Sequence, residues 1–210
     1  MILMNGGLSD LDVFKKELMS KYKKTGKVEK MAMDTYKREL NNRIGILCLS
    51  KRCDSVLMWS HYTNSHKGFV VGFDPNHHFF KKQDTDETDI GDLREVQYSQ
   101  DRPTISIPDM NLTTKHLECK NIEWEYEKEL RLIRNLKNAS HVKNGQEPKI
   151  FLFDIPKECI SSVIFGIDCL PELQQEIENK VRKDEALETV KLYKAQMDRK
   201  SYIIQTHELA

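Results

Sequence analysis

The sequence lacks an excess of charge of either sign, because 33 Lys and Arg residues balance 33 Asp and Glu residues over 210 positions. A zero net charge argues against a globally cationic nucleic-acid coat and against a polybasic membrane anchor. No apolar run approaches the ~18 residues of a membrane span, and the N-terminus has no basic region or signal core. With 39% apolar and 31% charged residues, the composition excludes collagen, coiled-coil and disordered classes and predicts a globular protein.

The sequence also lacks an even set of cysteines, since it has five and no export signal. We therefore expect reduced thiols in a cytoplasmic protein and no disulfide framework. Cys48, Cys53, His61 and His66 have the ligand types of a zinc site, but their central spacing is shorter than in a zinc finger, so no metal is expected. The Walker, dinucleotide-binding, serine-hydrolase and zinc-protease motifs are absent, which removes the simplest enzyme classes.

Hydrophobic periodicity predicts an N-terminal helical pair over residues 1–43, followed by a single domain over residues 44–210. The first helix is expected between Ser9 and Gly26, and the second roughly from Val28 to Asn41. Beyond them, short apolar runs and helical segments alternate without a strict βαβ rhythm. This favours an α+β fold with a mixed, mostly antiparallel sheet and flanking helices.

The individual elements follow from turn residues and caps. A short helix is expected to begin at Asp54 or Ser55 and to run through Tyr62, and two others cover 114–122 and 171–183. Strands are predicted over 44–50, 68–74, 96–99, 129–134, 150–155, 160–165, 189–193 and 202–206.

The most informative segment is a run of alternating charged residues from Glu127 to Arg131. If it is extended, Glu127, Glu129 and Arg131 share one face, and Leu130 lies on the other. Covering two carboxylates costs desolvation, which Arg131 offsets by pairing with either glutamate. The face is then either a structural ion pair or a pair of catalytic carboxylates.

Aromatic and basic residues supply candidate binding groups. Trp59 and Tyr62 are three positions apart on a helix, so they share a face beside His61, with Lys67 just beyond. They form either core or a wall on which a flat ring could stack. Tyr98, Arg102 and Trp124, further along the chain, complete the candidate binding set. The alternative for Tyr98 and Arg102 is a strand end followed by a turn, and the alternative for Trp124 is core packing.

In order and spacing, these segments resemble the bacterial and phage family classed as domain of unknown function 2971. The resemblance covers roughly residues 44–206. The segments that carry it are Cys48-Leu49-Ser50, Asp54 to Tyr62, His66 to Asp74, Val96 to Ser99 with Arg102-Pro103, Lys120 with Trp124 to Arg131, and Val163 to Gly166. The usual N-terminal strands with a Phe-Asn-Asp-Pro turn are not found here, so we expect a shortened member or one with a replaced N-terminus.

By analogy, Glu127-x-Glu129 entering a strand, behind an aromatic-rich helix, is similar to ADP-ribosyltransferases. This resemblance implies an NAD-consuming transferase or glycohydrolase, such as a toxin or phage-defence effector, with NAD as substrate. Glu127 or Glu129 would stabilise the oxocarbenium-like centre. Trp59, Tyr62 or Tyr98 would stack on nicotinamide, and phosphate would be held by one of three cations, namely Arg102, Arg131 or Lys67.

A non-catalytic module that binds a nucleotide or a protein through the same face is the alternative, and the missing N-terminal strands favour it. A magnesium nuclease is a weaker hypothesis, because alternation sends Lys128 to the opposite face from both glutamates. Nucleic acid and membranes are not expected partners.

Overall fold

The computed structural model describes residues 27–81, 91–103, 114–143, 145 and 149–209. Two compact units emerge from its contacts, one of residues 1–44 with 104–113 and the other of residues 45–103 with 114–210. The first predicted helix lies outside the described residues, whereas the second is confirmed as helix α1. The predicted division into a helical segment and one domain stays a prediction.

The described residues form three α-helices and eleven strands. The helices are α1 Lys27–Arg43, α2 Val56–Tyr62 and α3 Pro171–Lys183. The strands are β1 Ile44–Ser50, β2 Phe69–Phe73, β3 Leu93–Glu95, β4 Gln97–Ser99, β5 Cys119–Asn121, β6 Glu129–Asn135, β7 His141–Lys143, β8 Ile150–Leu152, β9 Ile160–Phe165, β10 Lys191–Met197 and β11 Ile204–Glu208. Among them, no helix has both the length and the apolar character needed to cross a bilayer.

The strands form two larger sheets and two isolated pairs. The four-stranded sheet has the order β11-β10-β9-β2, in which β10 is parallel to β9 and the other neighbours are antiparallel. The three-stranded sheet has the order β1-β6-β3, with β3 antiparallel to β6. The pair β4 and β5 is parallel, and the pair β7 and β8 is antiparallel. The predicted α+β class with mostly antiparallel sheets is confirmed.

Apolar packing holds the four-stranded sheet against α3. The helix begins with Pro171 at its N-terminus and ends in a basic turn, as helix-end preferences require. Val163 and Phe165 from β9 pack with Val181 of α3 and Leu192 of β10. Phe165 is fully buried, so this cluster is a conventional hydrophobic core.

A second cluster fixes α2. Ser55 caps this helix, since its side chain accepts a hydrogen bond from the Met58 amide. Trp59 is only 2% exposed and packs with Ile164 of β9. Its indole N–H donates to the Cys53 carbonyl at 2.7 Å. The aromatic residue at this position is therefore core, and α2 is held in a defined orientation.

The helix predicted over residues 114–122 is wrong. A 3-10 turn covers Thr114–Glu118, and Cys119–Asn121 is strand β5. β5 pairs in parallel with β4, with Tyr98 opposite Lys120. A strand of three residues that pairs with a distant segment leaves no periodic signal in the sequence, because its tertiary partner decides its conformation.

Candidate functional site

A cavity of about 1030 Å³ is lined by α2 and by strands of both larger sheets. Much of its wall is apolar, with Trp59, Phe73 and Phe80 among the lining residues. Two carboxylates, Glu127 and Glu129, also line it. A large apolar cavity with a few convergent polar groups is the usual form of a small-molecule site.

The two carboxylates reach the cavity from different local structures. Residues Ile122–Glu127 form a 3-10 helix, whose first turn is capped by the side chain of Asn121. Lys128 then adopts a left-handed conformation with φ 45° and ψ 52°, and β6 begins at Glu129. The strand predicted from Glu129 is therefore confirmed, and Glu127 lies outside it, yet Glu127 and Glu129 bind the same ammonium group.

Glu127 is 3% exposed, and both of its carboxylate oxygens are hydrogen-bonded. Oε1 accepts a hydrogen bond from the Tyr62 hydroxyl at 2.7 Å, and Oε2 accepts one from Lys120 Nζ. Its main-chain carbonyl accepts a hydrogen bond from the Ser50 hydroxyl at 2.6 Å. These contacts tie the end of the 3-10 helix to α2, β1 and β5.

Glu129 is 4% exposed and is held by two cations. Oε2 lies 2.9 Å from Lys120 Nζ, and Oε1 lies 2.8 Å from Arg131 Nε. The Glu129 amide donates to the Tyr98 hydroxyl at 2.8 Å. Because Tyr98 and Lys120 are register partners on β4 and β5, this strand pair supplies two of the contacts that fix Glu129.

The ion pairs keep the cluster charged in spite of its burial. Burial alone would raise the pKa of Glu129, but hydrogen bonds from Arg131, Lys120 and the Cys48 thiol outweigh it and lower that pKa to about 2. For Lys120, burial lowers the pKa, and hydrogen bonds to both glutamates raise it to a net value above the ordinary one. Two cations and two carboxylates thus balance in one buried network.

Two neutral donors complete the network. Burial and a hydrogen bond to Glu129 raise the pKa of Cys48 to about 11. The hydrogen bond to Glu127, and then burial, raise the pKa of Tyr62 to about 12. Both groups stay protonated at neutral pH, so Cys48 is a thiol here and not a thiolate nucleophile.

The structure brings some of the predicted site residues together around the cavity. Besides the two glutamates, Trp59, Tyr62 and Arg131 line it. Trp124 is not among the lining residues but contacts one of them, since the centroid of its ring lies 4.8 Å from Lys120 Nζ. The ring also stacks on Tyr126.

Other predicted site residues lie apart from the cavity. His61 is exposed and makes an edge contact with the ring of Tyr62, with 6.2 Å between the centroids. Lys67 and Arg102 are exposed, and neither is among the residues that line the cavity.

Sequence reasoning missed the role of Lys120. The family resemblance included this lysine, but its pairing with two glutamates depends on β5, which was predicted as helix. The Cys48 and Ser50 side chains, which face the same cluster from β1, were missed for the same kind of reason. The register between strands places all three, and a single sequence does not contain it.

The chemistry available to this cluster is electrostatic. Over the described ranges, no three His, Cys, Asp or Glu side chains come close enough to hold a metal ion. The carboxylates of Glu127 and Glu129 are held in fixed positions by Lys120 and Arg131, and a carboxylate fixed beforehand can stabilise a developing cation without reorganisation.

Comparison with known proteins gives one match. Residues 58–132 match the family model described as protein of unknown function (DUF2971). No curated protein and no solved structure matches the chain. The matched segment runs from α2 into β6 and includes Tyr62, Tyr98, Lys120 and both glutamates. The resemblance predicted from the motifs is thus confirmed over residues 58–132, the segment in which this chain is similar to the DUF2971 family.

Proposed function

We propose that this protein consumes NAD by cleaving the bond between nicotinamide and ribose. The observation that carries the proposal is the pair of buried carboxylates, Glu127 and Glu129, in the wall of a large cavity. Such a reaction would suit a toxin or phage-defence effector, because it removes a central metabolite.

The chemistry needs a fixed negative charge. As the C–N bond breaks, its electron pair leaves with nicotinamide, which becomes neutral, and positive charge develops on the ribose. Water or an acceptor nucleophile then forms the new bond to the same carbon and loses a proton. A carboxylate held in place beforehand stabilises the developing charge without a reorganisation cost.

The contacts favour different roles for the two glutamates. Glu129 is bound by two cations, which occupy both of its oxygens. Glu127 is bound by one cation and one neutral hydroxyl, from Lys120 and Tyr62. Glu127 is therefore the better candidate to face the ribose, and Glu129 would hold Lys120 in position.

The cavity suits a ligand of this size. Its volume of about 1030 Å³ reaches the upper end of the usual range for ligand pockets, about 300–1,000 Å³. Tyr62 lines it and is well exposed, so its ring is the available aromatic surface for nicotinamide. Trp59 is almost fully buried and can contribute only as wall.

The test is nicotinamide release by the purified full chain, with wild type compared to Glu127→Gln and Glu129→Gln. We expect release by wild type and a loss of about 100-fold or more in Glu127→Gln, as for other electrostatic stabilisers. Glu125→Gln is the matched control, because Glu125 lies in the same 3-10 helix and is exposed. No release by a folded wild type, or release unchanged in both variants, would refute the proposal.

A non-catalytic binding module is the second candidate. The balanced network favours it, because the glutamate oxygens are satisfied by Lys120, Arg131 and Tyr62 without any ligand. This candidate predicts saturable binding of NAD or ADP-ribose in calorimetry, with no turnover. Turnover that depends on Glu127 would exclude it.

A further inference from the structure

We propose that Lys51 and Arg52 form a phosphate-binding subsite at the cavity. The inference rests on the proposed function and deepens it, because it names where the diphosphate of a nucleotide substrate binds. Both residues follow β1 directly, and both line the cavity that contains Glu127 and Glu129. They take the place of Lys67 and Arg102, which are not among the lining residues.

Lys51 can exchange its present partner for a ligand. Its Nζ lies 2.8 Å from Glu95 Oε1, and the two side chains are 43% and 64% exposed. An ion pair between exposed side chains contributes little, because water competes for both groups. A phosphate bound at the cavity can therefore replace Glu95 as the partner of this ammonium at a small cost in free energy.

Arg52 has donors to spare. Its Nε donates to Asp54 Oδ1 at 2.6 Å, and its Nη1 donates to the Tyr126 carbonyl at 3.4 Å. Among the described residues, these contacts use two of the five N–H groups of the guanidinium. The planar fork that remains matches phosphate oxygens, and the contact with Asp54 holds the side chain in place.

The other two cations of the cavity wall are committed to buried partners. Lys120 binds both Glu127 and Glu129, and Arg131 binds Glu129 and the Leu117 carbonyl. Moving either cation to a phosphate would take a compensating charge away from a buried carboxylate, which is strongly unfavourable.

The charge at the cavity agrees with this division. Four cations and three carboxylates line it, and two of each sign belong to the buried network. Lys51, Arg52 and Glu95 remain, so the lining residues outside that network are two cations and one carboxylate, and Asp54, which pairs with Arg52, is not among the lining residues. Phosphate is the nucleotide group that such a surface attracts.

The experiment measures binding of ADP and of adenosine to the full chain by calorimetry. We expect Lys51→Gln and Arg52→Gln each to weaken ADP binding about tenfold or more, as charged hydrogen bonds to phosphate imply. Adenosine binding should not change, because adenosine has no phosphate. Lys67→Gln and Arg102→Gln are the matched controls and should bind both ligands as wild type does.

Two further measurements keep the test decisive. Arg52→Lys retains a charge but not the fork, so we expect it to bind ADP with intermediate affinity. Thermal melting identifies any variant that fails to fold, and the exposed Lys51 supplies a test that does not depend on Arg52.

The outcomes separate this subsite from the proposed reaction. ADP binding unchanged in a folded Lys51→Gln/Arg52→Gln double variant, absent from wild type, or lost in the controls would overturn the subsite, even if nicotinamide is released. Conversely, ADP binding that depends on Lys51 and Arg52 would support the subsite even where no nicotinamide is released, a result that refutes the reaction alone.

Discussion

Beneath the four-stranded sheet the buried side chains are apolar, whereas at the start of β6 and the end of the 3-10 helix before it two of them are carboxylates. Phe165 and Val181 represent the first region, and Glu127 and Glu129 the second. Burial of apolar area stabilises the first region, independently of pH. The second is stable only while Lys120 and Arg131 compensate the buried charge. One region accounts for the fold, and the other has the properties expected of a functional site.

The largest loss of stability is expected when a large side chain is removed from the apolar region. Phe165→Ala removes a fully buried ring, so we expect a loss of about 3–5 kcal/mol in the free energy of unfolding. The loss should be similar at pH 7 and pH 4, as measured by urea denaturation. A loss that depends strongly on pH would show that the two regions do not differ as described.

Removing the shared cation should destabilise the charged region almost as much. Lys120→Met leaves two buried carboxylates with one guanidinium, and we expect a loss of about 3 kcal/mol at pH 7. The loss should shrink in acid, where Glu129 takes up a proton. Lys128→Met is the matched control, since Lys128 pairs with the exposed Glu125, and it should change stability by less than about 0.5 kcal/mol.

Acid itself should distinguish the two regions. The folded pKa of Glu129 is about 2, below the ordinary glutamate value of 4.5. Its stabilisation is therefore complete above the unfolded pKa and is lost as pH falls from about 4.5 towards 2, with a total of about 3 kcal/mol. Glu129→Gln should flatten this part of the stability profile, and Phe165→Ala should keep it. An unchanged slope in Glu129→Gln would contradict the assignment.

The smallest effect concerns the hydrogen bond between β4 and β6. Tyr98→Phe removes the acceptor of the Glu129 amide, and we expect a loss of about 1 kcal/mol in urea denaturation. Tyr202→Phe is the control, because Tyr202 is 97% exposed, and it should behave as wild type. Equal effects of the two substitutions would show that the Tyr98 hydroxyl does not support the charged region.

The apolar region was largely predictable from the sequence. Strand β9 and helix α3 have the predicted bounds. Their signals are local, because an apolar run with β-branched residues predicts a strand, and Pro171 marks a helix start. The residues that form this core contribute through burial alone, which hydrophobic pattern describes well.

For the charged region, the sequence predicted which side chains take part but not the backbone that positions them. The sequence singled out Glu127, Glu129 and Arg131, but it did not predict the 3-10 helix that ends at Glu127 or the left-handed Lys128. It also missed Lys120 as their partner. The position of Lys120 follows from the parallel pairing of β4 with β5, and contacts between distant segments leave no periodicity to detect.

The sharing of Lys120 by two carboxylates constrains how the sequence can drift. Loss of Lys120 alone leaves two buried anions, and loss of one glutamate leaves the cations in excess. Tolerated change at these positions must therefore be concerted, so that the charges disappear together. If codons 120, 127, 129 and 131 were randomised and selected for folding, charge-balanced combinations should be recovered far more often than single replacements.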